Sequence, residues 1–333
     1  MPYSYALGID LHKKKSTWKL VDSNRSVIWS KTVLCQPESL ELALRRLPIS
    51  AVKLPVALEP TCGWRWVSQL LEKGGCDVHI ANPYKFRVIA DSRQKTDEED
   101  AKTLAEFLQL GYLPESWRAP DEIDDWRQLV RVRVSLVEAR TRVKNQIKSL
   151  LTATGPISAK QPLPDDLKFK ELALLIKEQT VHILTLEKAI KQIVAVNPIC
   201  QILLTVPGVG SLTALTILAE IGDFTRFPSA DKLACFAGLV PSQRSSGEKI
   251  RYGHIAKTGS KLLRSTLVET AMRFRERQDA KLWHWFSKVK IGRGAMRART
   301  ALARKLLTIM WSMVKNQQPF ISSHDIVKLG DLV

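Results

Sequence analysis

The sequence predicts an α/β N-terminal domain, a long helical connector and a mainly α-helical C-terminal domain. Three observations predict it. Strand-length apolar runs alternate with helix-like stretches through residues 1–115, two long segments then repeat apolar residues at helical spacing, and after Cys200 short helical patterns are punctuated by Gly and Pro. A chain of 333 residues exceeds one ordinary core, so a division into residues 1–115, 116–198 and 199–333 is expected.

Tyr5–Leu11 (YALGIDL) is an apolar run of strand length. Ser16–Val21 (STWKLV) and Val27–Trp29 follow turn-rich breaks, which suggests a three-stranded antiparallel meander. Pro37–Leu47 reads as a helix and Leu54–Leu58 (LPVAL) as a buried strand ending at Glu59-Pro60. Trp64–Glu72 reads as a helix that Gly74-Gly75 stops. Asp77–Ala81 (DVHIA) makes a fifth strand, and helices are expected over Tyr84–Ile89 and Asp97–Leu108. A meander followed by strands that alternate with helices is an α/β order.

The character changes after Pro114. Between Glu122 and Thr154 apolar residues such as Trp126, Leu129, Val130, Val137 and Leu150 recur at helical spacing. Gly155-Pro156 and Pro162–Pro164 break the pattern, and a second amphipathic stretch runs from Asp165 to about Val196. Two long helices joined by a proline-bearing loop read as an antiparallel hairpin or coiled coil. Such a hairpin serves as a plain connector, an oligomerisation element or a grip on nucleic acid. Leu203–Ile221 (LLTVPGVGSLTALTILAEI) then reads as helix, Pro-Gly-Val-Gly, helix. In a helix-hairpin-helix, glycines such as Gly208 and Gly210 let the turn approach a phosphate, and the second helix offers free N–H donors. The same four residues also make a plain turn.

Charge points to a partner. The 51 Lys+Arg against 33 Asp+Glu leave +18, and from Pro241 to Met310 ten Arg and seven Lys face three Glu and one Asp. Most of the excess therefore lies in the last third, which favours a phosphate backbone over an acidic membrane as partner. A hydrophobic fraction of 45% with 25% charged residues is that of a globular protein. The five cysteines form no CxxC pair, so neither a disulfide framework nor a zinc site is expected, and a reducing cytoplasm fits. MPYSYALGID has no basic region followed by an apolar stretch, so no signal peptide is indicated. Gln192–Ala219 carries no charge and has the length of a bilayer span, yet Asn197-Pro198 and Pro207-Gly208-Val209-Gly210 interrupt it. Two short buried helices are expected there, and no membrane.

Four carboxylates stand where chemistry needs them. Asp10 lies inside the first apolar strand, where an acid is costly unless paired or bound to a metal. Glu59 closes the fourth strand, at the edge where α/β sheets place ligands. Asp97 and Asp100, three apart, share one helix face. Acids from two strands and a helix can converge on divalent cations that clamp a phosphodiester in line, and hard oxygen donors favour Mg²⁺, with Mn²⁺ as substitute. Each acid also has a plainer reading. Asp10 can start a turn, Glu59 can be a solvated strand end, and Thr96-x-x-Glu99 is a capping box whose acids suit the helix dipole.

GIDLHKK, ALEPTCGW, ANPYKFR and KTDEEDAKTLAEF resemble the N-terminal blocks of the DEDD transposases of the "IS one-ten" insertion-sequence family. LLTVPGVGSLTALTILAEIG and KLACFAGLVPSQRSSGEKIRYGHIAKTGSKLLRSTL are similar to its C-terminal part. These ordered blocks cover most of the chain, with the connector and the last 40 or so residues weakly matched. The resemblance implies an RNase H-like, RuvC-type N-terminal fold with Asp10, Glu59, Asp97 and Asp100 as its metal-binding acids. It also implies a serine nucleophile in a Pro-x-x-x-x-Ser-Gly pattern, which places it at Ser246 in Pro241–Gly247. Such a hydroxyl attacks phosphorus, forms a phosphoserine–DNA link and releases a 3′-hydroxyl. By the same resemblance the partners are double-stranded donor and target DNA and an element-encoded guide (bridge) RNA. The chain would act as a dimer or tetramer, in the cytoplasm and on the nucleoid when active.

From the residues alone Ser246 is not separable from Ser245, and no His or Lys base stands at helical or turn spacing from either. Arg244, and Lys257, Lys261 and Arg264 at helical spacing, are the candidate phosphate contacts, although any solvated basic helix looks alike. Trp283, Trp285 and Phe286 read as core or interface ahead of base stacking. His12 and His254 are set aside as ligands. Two other functions stay open: a RuvC-like nuclease that uses water, and a non-catalytic nucleic-acid-binding protein.

Overall fold

The computed structural model describes residues 3–89, 96–154, 164–246, 249–257 and 259–323, which fall into two compact units, Met1–Arg118 and Ala119–Val333. The first is mixed α/β. Its strands are β1 (Ala6–Leu11), β2 (Lys15–Val21), β3 (Val27–Leu34), β4 (Pro55–Leu58) and β5 (Asp77–Ile80). Its helices are α1 (Pro37–Arg45), α2 (Trp64–Lys73), α3 (Pro83–Ile89) and α4 (Asp97–Gln109). The sheet order is β3-β2-β1-β4-β5, with β1–β2–β3 antiparallel as the meander predicts and β1, β4 and β5 parallel.

Side-chain alternation sorts the sheet into two faces. Leu7, Ile9 and Leu11 of β1 join Trp18, Leu20, Val56 and Leu58 in a core with Leu40 and Leu44 of α1 and Val67 and Leu71 of α2. On the opposite face Ala6, Ala57 and Ala81 pack with Phe86 of α3 and with Leu104, Ala105 and Leu108 of α4. Small residues on that side let α4 lie close, and Gly8 sets the limit. A Cβ on Gly8 would stand 1.9 Å from the Ala101 carbonyl oxygen and 2.7 Å from the Ala105 nitrogen. Both are helix backbone, so neither can swing aside. Gly8→Ala is therefore expected to destabilise the first unit by about 1–3 kcal/mol, the range for overpacking. Urea unfolding of the variant reads this as a lower midpoint with an unchanged slope.

The third strand departs from expectation, running to Leu34 where the sequence suggests an end at Trp29. It is the sheet edge, largely exposed and carrying Ser30, Lys31 and Thr32, so little apolar alternation marks its second half.

The second unit is mostly helical: α5 (Asp121–Thr154), α6 (Leu167–Val196), α7 (Pro198–Leu204), α8 (Ser211–Ile221), α9 (Ala230–Phe236), α10 (Lys261–Arg273), α11 (Ala280–Arg293) and α12 (Ala295–Asn316). Arg133 reaches Glu187, and Arg140 Nη1 donates to Thr180 Oγ1 at 3.1 Å. The partner's number falls as the number along α5 rises, so α5 and α6 run in opposite directions. The α8 part of the uncharged stretch becomes core. Every residue of α8 from Thr213 to Ile221 is buried, which accounts for apolar residues on every side of the helix. Arg131 on α5 grips the buried carboxylate of Glu220 with two bonds of 2.9 and 3.1 Å. Among the described residues no helix is long and apolar enough to cross a membrane. The unit, mainly helical as expected, also holds a hairpin of β6 (Pro241–Ser246) with β7 (Lys249–Ile255), strands for which the sequence gives no expectation. PSQRSS has no apolar alternation to announce a strand.

Candidate metal centre

Asp10 is the penultimate residue of β1 and only 4% exposed. Alternation puts it on the side of Ala6 and Gly8, the side that α4 covers. In the parallel pairing of β1 and β4, Ile9 lies opposite Leu58, so Glu59 follows beside Asp10 at the carboxyl edge of the sheet. The Thr61 hydroxyl donates to the Leu11 carbonyl and ties the segment after β4 to the end of β1. The sequence pattern that places a strand before Glu59-Pro60 thus delivers a second acid to the first.

The other two acids arrive on α4. Thr96 Oγ1 accepts from Glu99 N at 3.2 Å, so the expected cap is present. Capping occupies Thr96, while Asp97 and Glu98 meet bases of the β1–β2 hairpin. The His12 Nε2 lies 3.1 Å from Asp10 Oδ2 and 3.2 Å from Asp97 Oδ1. Lys15 Nζ stands 3.6 Å from Asp97 Oδ2, and Lys19 Nζ is 3.0 Å from Glu98 Oε2. Three bases on one hairpin thereby hold the start of α4. His12 N donates to the Lys15 carbonyl at 3.0 Å and closes that hairpin around Lys13-Lys14.

Burial, first, holds the Asp10 carboxyl above the usual carboxylate range. The imidazole of His12 pulls the other way, and the negative charges of Asp97, Asp100 and Glu59 push further up. Asp10 therefore feels all three of the other sequence-selected acids, although they come from distant stretches of chain. For Asp97, desolvation raises the proton affinity, but the hydrogen bonds and charges of His12 and Lys15 bring it below the usual range.

Asp10, His12 and Asp97 each offer a donor atom, and these atoms lie within 4.8 Å of one another. That spacing matches the edges and diagonals of a coordination shell with bonds near 2 Å. A crowded, buried carboxylate whose ionisation is opposed is also the group a cation relieves. The donor set fits a divalent ion. His12, set aside from the sequence, sits in the middle of it. Its signal is the spacing Asp10-x-His12, since residues two apart extend from one face of a strand.

The other sequence-selected residues lie in the second unit. Ser246 ends β6, its backbone paired with Lys249, and Arg244 is paired with Arg251. Residues 247–248 lie outside the described residues. Lys257 takes a left-handed conformation (φ 53°) ahead of α10, so it does not share helical spacing with Lys261 and Arg264. Ser260 interrupts the run by capping α10, its Oγ accepting from Leu263 N at 3.1 Å. Arg264 turns inward, with Nη1 donating to the Ala237 carbonyl at 3.4 Å. Lys261 is exposed, at the rim of a cavity of about 660 Å³ that Gly210, Ser211 and Arg273 also line. Gly208 (φ +85°) packs on α10, where a Cβ would meet Thr270 O at 3.3 Å, whereas at Gly210 a Cβ would meet nothing within 4 Å. Arg251, Lys288, Lys290, Arg293 and Arg297 are exposed as well. Phe286 is core, Trp283 tilts against it at 5.2 Å, and Lys305 covers the Trp285 ring at 4.4 Å, as the packing reading of these aromatics expects.

Residues 7–156 match a family model for transposases of the DEDD type in the IS110 group, and residues 200–284 match the model of the transposase IS116/IS110/IS902 family. The chain belongs to the IS110 transposase family. The four acids lie in the first matched region and Ser246 in the second. The transposase is 27% identical to the transposase for insertion sequence element IS1111A of Coxiella burnetii, over 94% of this chain and 90% of that protein. It is 27% identical to a probable family 20 transposase of Pseudomonas aeruginosa, over 93% and 97% of the two chains. It is also 28% identical to the pilin gene-inverting protein of Moraxella bovis, over 73% and 74%. Transposases are enzymes that cleave DNA strands and transfer them.

Proposed function

We propose that this transposase recombines double-stranded DNA through a covalent phosphoserine intermediate at Ser246, with Asp10, Glu59, Asp97 and Asp100 holding Mg²⁺, or Mn²⁺ in its place. The observation that carries the reading is the gathering of acids from β1, the end of β4 and the start of α4 around one buried carboxylate. The sheet order supports reading the first unit as RNase H-like, of the RuvC type. When bound, the ion would stabilise the negative charge that develops on a phosphodiester.

In the first step the Ser246 oxygen bonds to phosphorus, the bond from phosphorus to the 3′-oxygen breaks, the serine proton departs and the 3′-oxygen takes one up. In the second a 3′-hydroxyl of another strand attacks the phosphoserine and frees the serine. One phosphodiester is exchanged for another, so no nucleotide energy source is required. The likeness to an inverting protein supports recombination as the outcome. We read residues 116–198 as a hairpin connector, and an element-encoded guide RNA and a dimer or tetramer complete the proposal. The test is a nicked DNA substrate with Mg²⁺, followed by mass spectrometry of the trapped adduct. A peptide linked through Ser246 supports the reading; cutting without any adduct replaces it with hydrolysis by water.

Lys261, Arg244, Lys257 and the open turn at Gly210 are proposed as backbone contacts, beside the Gly208 turn and the inward-facing Arg264. Lys261→Ala is expected to weaken binding equally for related and unrelated DNA sequences. It should also reduce the slope of log affinity against log salt by about 1, the loss of one phosphate contact. Fluorescence anisotropy at several salt concentrations measures both.

A further inference from the structure

We infer that His12 is a direct nitrogen ligand of the divalent ion, through Nε2, and that the centre consequently favours a first-row transition ion over Mg²⁺. The inference rests on the acid-centre reading above and adds a donor of different chemistry to it.

The geometry points to His12 in two ways. Its Nε2 lies 3.1 Å from Asp10 Oδ2 and 3.2 Å from Asp97 Oδ1, between two carboxylates that come from different elements. An imidazole Nε2 carries at most one hydrogen, to be given to one acceptor or shared weakly between two. One cation among the three atoms, by contrast, uses a lone pair from each. Their mutual separations, all within 4.8 Å, are those of ligands on one ion. Second, the ring is placed by backbone. The His12 N donates to the Lys15 carbonyl at 3.0 Å and fixes the residue's backbone at the turn between β1 and β2, two residues after Asp10. Its side chain remains about half exposed (49%), so an ion and a water or a phosphate oxygen have access to it.

Imidazole nitrogen is a softer donor than carboxylate oxygen. A mixed set of two or more carboxylates and one imidazole therefore binds Mn²⁺ more tightly than Mg²⁺, which prefers an all-oxygen octahedron.

The experiment is Mn²⁺ titration of the full chain and of His12→Gln, followed by electron paramagnetic resonance, with electron spin echo modulation to detect nitrogen-14 coupled to the bound ion. The parent should show the nitrogen coupling. His12→Gln should lose it, with Mn²⁺ affinity lowered on the order of tenfold or more and Mg²⁺ affinity lowered less. Mn²⁺ bound by the parent without nitrogen coupling, or with unchanged affinity in His12→Gln, overturns the inference and leaves the acid centre standing. Failure of Mn²⁺ to bind the parent, or equal binding by Asp10→Asn, overturns the acid centre itself and His12 with it.

Discussion

Asp10→Asn is expected to abolish Mg²⁺-dependent DNA cleavage while leaving the metal-free protein at least as stable as the parent. Loss of a ligand at a centre that contributes several kcal/mol of charge stabilisation should lower cleavage on the order of 10³-fold or more. The stability half follows from the sign of the pKa shift. The Asp10 carboxyl sits above its ordinary value of 3.8, so the fold favours its neutral form. Below that value the group is protonated folded and unfolded alike, and its contribution is complete. As pH rises through the raised native value that contribution is lost. At neutral pH the buried, crowded carboxylate therefore counts against the fold, and an amide of the same shape removes the penalty. In EDTA the Asn variant should melt above the parent at pH 7, with the gap closing near pH 4. With Mg²⁺ the order reverses. Saturation to 100 times the dissociation constant adds about 2.7 kcal/mol to the parent and little to the variant. Differential scanning calorimetry with and without Mg²⁺ checks both halves. A variant that keeps the parent's response to Mg²⁺ would remove Asp10 from the centre. Such a trade of stability against activity is common where acids are gathered for function.

The same residue explains why so much of the first unit is legible in the sequence. β1 is buried along its whole length, so its apolar run stands out, and an acid inside it is conspicuous. Glu59 and the Asp97/Asp100 pair are marked by strand and helix ends, which Pro60 and Thr96 punctuate. What escaped notice depends on cross-strand geometry. His12 reads as part of a basic turn until α4 is laid over the sheet, and only then does it fall between two carboxylates. The approach of α4 rests on the absence of a side chain at Gly8, a reason that sequence patterning cannot express.

In the second unit, periodicity found the long helices, because a packed helix must repeat its apolar residues. It missed β6 and β7: β6 (PSQRSS) has no apolar side chain beyond Pro241, β7 (KIRYGHI) mixes Ile250, Tyr252 and Ile255 with basic residues, and Pro241–Gln243 and Arg251–His254 are exposed. Ile250 and Tyr252 alternate over two positions only, and β6 offers no matching run, so the period-two pattern is too short to announce a hairpin. The spacing of Lys257, Lys261 and Arg264 misled for the converse reason. It is helical in number, but the chain makes a left-handed turn at Lys257 and a new helix starts at Lys261.

That hairpin carries Ser246, the nucleophile of the proposed covalent mechanism, and Ser246→Ala is expected to eliminate both the protein–DNA adduct and strand exchange. Removing the attacking oxygen leaves the chemical step without its bond-forming atom, so the loss should be on the order of 10⁴-fold or more, as for other serine nucleophiles. Binding should persist, because phosphate contacts come from many basic side chains and one hydroxyl adds little to them. The fold should persist as well. Ser246 is the last residue of β6, and its pairing with Lys249 runs through the backbone, which the substitution leaves in place. Ser245→Ala is the matched control. It lies one residue earlier in the same strand, paired with Ile250, and should retain adduct formation. Gel separation of the adduct on a nicked substrate, with anisotropy for binding, distinguishes three outcomes. If Ser246→Ala alone loses the adduct, Ser246 is the nucleophile. If Ser245→Ala alone loses it, the assignment moves by one residue. If both variants still cut with unaltered rates, water is the attacking group, and the acids of the first unit carry the whole reaction.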